Sequence, residues 1–254
     1  MNSVTDAQSA QKNMTDFHTH ILPRMDDGSQ STAESVHMLK ASCNGSVSRL
    51  VLTPHFYPDR ESLEHFLERR ERAADMLCGA VGNSSGIFPE ILLGAEVAYF
   101  GGISRMNRLE DLAVRGSKLI LLEMPFCAWT EHMLEEVGGF SAATGLTPLL
   151  AHAERYRNGG GRKRMFQSLR DSGVRYQVNA SFFCGINSPS AFRMLKRGEI
   201  AALGSDCHNM TARKPGLQEA EERIQKRMGP EMVNWLNEEA DRLLGKAEHE
   251  ENAR

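Results

Sequence analysis

Asp16-Phe17-His18-Thr19-His20 sets two imidazoles two residues apart in a short apolar stretch that follows the polar run Met1 to Thr15. Side chains alternate across a β-strand, so His18 and His20 share one face and can grip a single ion together. Asp206 and His208, in Ser205-Asp206-Cys207-His208-Asn209, repeat that spacing near the other end of the chain. Cys207 lies between two such donors, so the same alternation turns it away from them.

Working outward, short Val-, Ile- and Leu-rich segments recur, each followed by a longer amphipathic stretch, which is the alternation of βα units around a parallel sheet. About seven strands are expected: Asp16-His20, Arg49-His55, Ile91-Val97, Lys118-Met124, Thr147-Ala153, Tyr176-Ala180 and Ile200-Asp206. Helix signals fill the intervals. Ser31-Thr32-Ala33-Glu34 has the capping-box pattern, and Ser188-Pro189 offers an N-cap ahead of a proline at the first helical position. Glu61 to Ala74, crowded with Glu and Arg around Leu63, Phe66 and Leu67, is the solvated face of an amphipathic helix. Gly159-Gly160-Gly161 follows a strand but lacks the Lys-Ser/Thr of a phosphate loop, so a flexible turn is expected there.

Composition narrows the class. The 254 residues are 41% hydrophobic and 25% charged, enough to bury one sizeable α/β core. A formal charge of -3 gives no broad basic field, which speaks against a nucleic-acid partner held by bulk electrostatics. The five cysteines are odd in number and form no Cys-x-x-Cys pair, the usage of reduced cytoplasmic thiols. No secretory signal and no apolar run long enough to span a bilayer is found, so membrane insertion is not expected.

Nearly every expected strand ends in a histidine or carboxylate: His18 and His20, His55, Glu96, Glu123, His152, then Asp206 and His208. In closed parallel α/β barrels the carboxyl ends of the strands face one mouth, where side chains far apart in sequence converge. Asp27, in the loop Asp26-Asp27-Gly28, can reach back over that mouth. Imidazole and carboxylate donors without thiolates suit an open catalytic site for Zn²⁺, Fe or Mn²⁺ better than a structural zinc. His37, His65 and His132 fall inside expected helices and His249 in the polar C-terminal tail, and none of the four is assigned a role.

Asp16-Phe17-His18-Thr19-His20, Asp26-Asp27-Gly28, Thr53-Pro54-His55, Gly94-Ala95-Glu96, Glu123-Met124-Pro125, Ala151-His152-Ala153-Glu154-Arg155-Tyr156 and Ser205-Asp206-Cys207-His208-Asn209 together resemble the PHP superfamily. More narrowly, they resemble its bacterial protein-tyrosine phosphatases from capsule and exopolysaccharide clusters, over about Asp16 to Leu244. The resemblance implies a distorted seven-stranded (β/α)7 TIM-like barrel, the PHP fold. It implies one domain over residues 16–245, between a disordered extension over 1–15 and a polar tail over 246–254. It implies two to three divalent ions, Mn²⁺ first and Fe or Zn as alternatives. His18, His20, Glu96 and Asp206 would hold one, Glu96 with Glu123 and His152 a second, and Asp27, His55 and His208 a third. Arg155 and Arg213 match arginines that approach the substrate phosphate, and a planar guanidinium suits that task.

The implied reaction is hydrolysis of a phosphotyrosine protein, such as a bacterial tyrosine kinase tail, by water that the ions activate. No arginine stands six positions after Cys78, Cys127 or Cys184, so a phosphocysteine route finds no support there. A small-molecule phosphatase of the superfamily, such as a histidinol-phosphate phosphatase, would use the same metals. An amidohydrolase would want a lysine where Glu123 stands, and a degenerate metal-binding module would keep only part of the donor set. The pattern departs from the family at Phe56-Tyr57-Pro58, in the N-terminal extension and at Lys214-Pro215.

Overall fold

The computed structural model of the protein describes residues 14–43, 47–157 and 162–246. The expected glycine turn, His249 and most of both tails lie outside them. In chain order the first half runs β1 (Met14–Thr19), α1 (Thr32–Cys43), β2 (Val47–Leu52), β3 (His55–Phe56), α2 (Leu63–Gly82), β4 (Glu90–Leu93), β5 (Glu96–Ala98) and β6 (Leu119–Glu123). Then follow α3 (Glu131–Gly138), α4 (Phe140–Thr144), β7 (Thr147–Leu150), α5 (Arg162–Asp171), β8 (Arg175–Asn179), α6 (Ser188–Lys196), β9 (Ala202–Gly204), α7 (Leu217–Met228) and α8 (Pro230–Leu243). β1 opens at Met14, two residues inside the expected extension, with Met14 buried in register with Val47.

All pairings are parallel, in a three-stranded sheet β1-β2-β4 and a six-stranded sheet β3-β5-β6-β7-β8-β9. The two meet where Thr19 bridges Cys207, with bonds from Asp206 N–H to His18 O and from His20 N–H to Cys207 O. Two expected strands are each cut in two. Arg49-His55 resolves into β2 and β3, and Ile91-Val97 into β4 and β5. Pro54 has no N–H to donate, and at Gly94 and Ala95 the chain passes from one sheet to the other. Single bonds, Gly94 N–H to Leu52 O and Glu96 N–H to Pro54 O, carry pairing across both breaks.

Strand alternation sorts the core from the site. On β6, Ile120 and Leu122 join the large apolar cluster under the helices, while Leu119 and Leu121 join a smaller one with Phe17, Val51, Leu149, Ala151 and Ala202. Val114, and Ala240 and Leu244 at the end of α8, complete that smaller cluster. Glu123 continues the Leu119 and Leu121 face beyond it. On β8, Tyr176 and Val178 enter the large cluster, whereas Gln177 and Asn179 on the opposite face are buried and polar.

The helices follow their local signals with two adjustments. Ser31 Oγ accepts from Glu34 N–H at 3.2 Å, but Glu34 returns its carboxylate to Gln30 N–H, so half of the expected capping box forms. In α6 the N-cap is Asn187, which moves Ser188 and Pro189 one position inward. α2 is capped by Ser62 and buries Leu63, Phe66, Arg70, Ala73, Ala74 and Leu77 at helical spacing, so the amphipathic reading extends to Gly82. Among the described residues no helix is long and apolar enough to cross a membrane.

Candidate metal centre

The donors gather where the strands give out. His18 is on β1 and His20 just past it; His55 opens β3 and Glu96 opens β5; Glu123 ends β6. His152 follows β7, and Asp206 and His208 follow β9. β1 carries an irregularity between Asp16 and Thr19, where it spends one residue more than β2 does between Leu50 and Leu52. Such bulges re-aim side chains. Phe17 packs in the smaller core cluster, while His18 Nε2 points at the donor set.

Two of the donors sit on unusual backbone. His152 has φ 33° and Asp206 φ 53°, left-handed values that cost a non-glycine residue of order 1 kcal/mol and persist only where the surroundings insist. Hydrogen bonds supply the insistence. Gln177 Oε1 accepts from His152 N–H at 2.7 Å, and Asp206 N–H is tied to His18 O at 2.8 Å.

Glu96 is the hub. Its Oε2 lies 3.0 Å from His18 Nε2, 3.0 Å from His55 Nδ1 and 3.3 Å from His20 Nε2, and its Oε1 lies 3.2 Å from His152 Nε2. His152 Nε2 is also 3.3 Å from Glu123 Oε1. Asp206 Oδ1 stands 3.6 Å from both His18 and His20 Nε2. On the outer side, exposed Asp27 brings Oδ1 to 3.3 Å from His208 Nε2 and 3.6 Å from His55 Nε2. Three donor groups have all their ligand atoms within 4.8 Å of one another: His20 with Asp27, His55 and His208; His18 with His20 and Glu96; His55 with Glu96 and Glu123. His20 thus faces two groups, and His55 faces two through its separate ring nitrogens.

The chemistry of this set fits divalent cations. Glu96 is 1% exposed, yet neither of its oxygens accepts a hydrogen bond of normal geometry, and buried His55 Nδ1 and His208 Nε2 likewise lack one despite the carboxylates beside them. Buried carboxylates left like this are costly unless they ligate something. His18 and His20 bring Nε2 atoms within 3.0 Å of each other, a placement suited to two lone pairs sharing one cation. Electrostatics agree. Burial works against a charged His20, but Asp26 and Glu96 outweigh it and raise it to about 10. Burial likewise works against His152, which Glu123 and Glu96 raise to about 9. Glu96 stays well below the ordinary carboxylate range despite burial, because His18, His152 and His20 surround it. His208 falls to about 4 through burial and the positive charge of His20 and Arg213. Protons and cations compete for the same lone pairs here.

Several supporting residues carry no signal in the spacing. Asp26 Oδ2 accepts from His20 Nδ1 at 2.7 Å and from His55 N–H at 2.9 Å, fixing one ring and one backbone. Gln177 Oε1 also meets His18 Nδ1 at 3.2 Å, its Nε2 donates to Asn179, and Asn179 Nδ2 donates to Asp206 at 2.9 Å. Gly28 and Gly204 are forced by crowding. A methyl on Gly204 would stand 2.5 Å from His18 Cβ, and one on Gly28 would stand 2.2 Å from His20 O. The hint in the sequence is that Gln177 and Asn179 are polar residues two apart, alternating with Tyr176 and Val178. His37, His65 and His132 are exposed on α1, α2 and α3.

Arg155 Nη2 reaches Asp206 Oδ2 at 2.8 Å, and Arg213 Nη2 reaches Asp206 Oδ1 at 2.6 Å, so two guanidiniums lean on one donor from the open side. Both side chains keep over a third of their surface exposed, which leaves N–H groups free for an incoming anion. Two cysteines do carry an arginine six residues on, Cys43 with Arg49 and Cys207 with Arg213. Cys207 and Arg213 make no phosphate loop. Burial pushes the Cys207 thiol up, away from the thiolate a nucleophile needs, and Asn209 Oδ1 takes the N–H groups of Thr211, Ala212 and Arg213. Arg49 is committed to Asp241 and Thr15.

Comparison with known proteins gives consistent matches. Residues 14–244 match the family described as capsular polysaccharide synthesis, CpsB/CapC. The chain is 28% identical to the tyrosine-protein phosphatase YwqE of Bacillus subtilis (strain 168), over 91% of each chain. It is 28% identical to the tyrosine-protein phosphatase CpsB of Streptococcus pneumoniae, over 88% of this chain and 94% of that one. A crystal structure from the study of YwqE and CpsB, described there as unique metal-dependent tyrosine phosphatases, superposes with a TM-score of 0.77 at 26% identity. That superposition covers 92% of this chain and 95% of the other.

Proposed function

The chain belongs to the CpsB/CapC family of capsular polysaccharide synthesis, and from that premise we propose that it is a metal-dependent protein-tyrosine phosphatase. The observation that carries the reading is the buried Glu96 carboxylate, ringed by His18, His20, His55 and His152 and left without hydrogen bonds. Two arginines stand over the same set. We assign one ion to His18, His20, Glu96 and Asp206, a second to Glu96, Glu123 and His152, and a third to Asp27, His55 and His208. Manganese is our choice of metal, with iron or zinc as the alternatives. When bound, such ions make water a usable nucleophile at neutral pH and offset the charge gathering on phosphorus.

The protein's own groups do the rest. Arg155 and Arg213 present planar donor pairs to the non-bridging phosphate oxygens, and their pairing with Asp206 holds them ready. Tyr57 lies 5.1 Å from the His55 ring, and Phe126 stacks on His152 at 5.8 Å although 67% exposed, so aromatic faces border the donors at two places. That lining suits an aryl phosphate. We take the two sheets, joined between β9 and β1 and across Pro54 and Gly94, as a distorted seven-stranded barrel forming one domain over about 16–245. The substrate would be a phosphorylated tyrosine kinase of capsule synthesis, and the cysteine usage supports a cytoplasmic setting.

Chelator-treated protein should lose hydrolysis of p-nitrophenyl phosphate and of a phosphotyrosine peptide, and regain both with Mn²⁺. His152→Ala should stay inactive after metal is returned. Full activity in the metal-free protein would overturn the proposal.

A further inference from the structure

Beside the metal centre lies a second concavity of about 480 Å³, walled by Arg155, Arg157, Arg193 and Arg197 together with Asn187 and Ser190. The site already described touches it through Arg155, which turns one nitrogen to Asp206, and through Glu154 at Asn179 N–H. Arg157 is neutralised by Glu199 at 2.6 Å. Arg193 is not: it donates to Ser190 Oγ at 2.8 Å, and among the described residues no carboxylate lies within ion-pair distance of it. Arg197 stands 3.8 Å from Glu199 with its side chain 55% exposed. Glu154 is the one carboxylate in the wall; its Oε1 accepts from Asn179 N–H, and among the described residues no guanidinium lies within ion-pair distance of it.

Arg193 and Arg197 are four residues apart at the end of α6, where like charges repel by a few tenths of a kcal/mol. A helix C-terminus welcomes cations, which accounts for their presence on α6. It does not account for Arg155 and Arg157 meeting them from the segment after β7. Arg157 spends its charge on Glu199, so what Arg155, Arg193 and Arg197 share is open space suited to an anion.

We infer that this concavity is a second anion subsite, which takes a carboxylate or phosphate side chain flanking the phosphotyrosine that is hydrolysed. The inference rests on the phosphatase reading above. Because Arg155 borders both places, the second anion belongs close to the target tyrosine along the peptide. The substrates it favours are acidic or multiply phosphorylated tyrosine segments.

The test compares steady-state hydrolysis of phosphotyrosine peptides that differ only in their flanks: neutral, carrying Glu pairs, or carrying phosphoserine, placed on either side. The metal-loaded enzyme should favour anionic flanks by roughly three- to tenfold in kcat/KM through KM, as for two screened ion pairs. That preference should shrink as salt is raised. The Glu and phosphoserine arms separate the two sources of the anion. R193Q/R197Q should abolish the preference while hydrolysing p-nitrophenyl phosphate at the unaltered rate, and R193E/R197E should invert it toward Lys flanks. Equal kcat/KM for neutral and anionic peptides at low salt, or a preference that survives R193Q/R197Q, would overturn the subsite and leave the phosphatase standing. Refusal of every peptide by enzyme that still cleaves p-nitrophenyl phosphate would remove the protein-phosphatase reading and the subsite with it.

Discussion

Gly204→Ala is the most demanding test of how the metal centre is braced. The new Cβ would stand 2.5 Å from His18 Cβ and 2.7 Å from Gln177 Nε2. Carbon pairs rest at roughly 3.5–4.0 Å, so the backbones of β9 and β1 must part by about 1 Å. Neither neighbour is a free chain end: His18 is buried on β1, and Gln177 is held by Asn179 and His152. Overpacking of this kind costs about 1–3 kcal/mol in the metal-free protein. Metal sites tolerate only about 0.2 Å in ligand distance, and disturbed support typically weakens affinity about 10–100-fold. The stabilisation that saturating Mn²⁺ adds should therefore fall by a further ~1.4–2.7 kcal/mol. Urea unfolding with and without Mn²⁺ reads both losses, and Gly101→Ala, whose Cβ meets nothing within 4 Å, is the control. A Gly204→Ala protein with unaltered apo stability and an unaltered Mn²⁺ increment would refute the claim that Gly204 is glycine because His18 needs the space.

Three further expectations follow from single contacts. Asp26→Asn removes the charge that orients His20 and should weaken metal binding about 10–100-fold by calorimetric titration, an unchanged affinity counting against the positioning role. Glu221, far from the centre on α7, is raised by burial and by neighbouring Glu222 from its ordinary 4.5 to about 7. The folded state therefore holds its proton more tightly, and wild-type stability should drop as pH rises from 4.5 through 7. Glu221→Gln should gain up to about 1 kcal/mol above that window after solvent screening, and nothing below it. A gain of equal size at both ends would exclude the titration. Phe126→Ala should raise KM for aryl phosphates several-fold while leaving small alkyl phosphates alone, and parallel losses on both would mean that the ring supports His152 rather than the substrate.

The parallel α/β class, the strand neighbourhoods and the residues now gathered at the strand ends were all legible in Asp16-Phe17-His18-Thr19-His20 and its counterparts. Alternation and strand-end position are local properties, written in spacing. What spacing could not carry was anything settled between strands. Pro54 and Gly94 split two strands because one edge had to serve two sheets, and His20 and His55 came to face two donor groups apiece because ring nitrogens were aimed by tertiary neighbours. Asp26, Gln177, Asn179 and Gly204 came to support the donors only through contacts far along the chain, as between His18 and Gln177, 159 residues apart. Cys207 and Arg213, at the spacing of a phosphate loop, were disqualified only by burial and by where Asn209 sends its carbonyl. Sequence determined which groups could meet a cation, because each donor's chemistry belongs to its own residue. Tertiary structure decided how they are oriented and held apart, because hydrogen bonds and crowding depend on partners that alternation along one strand cannot see.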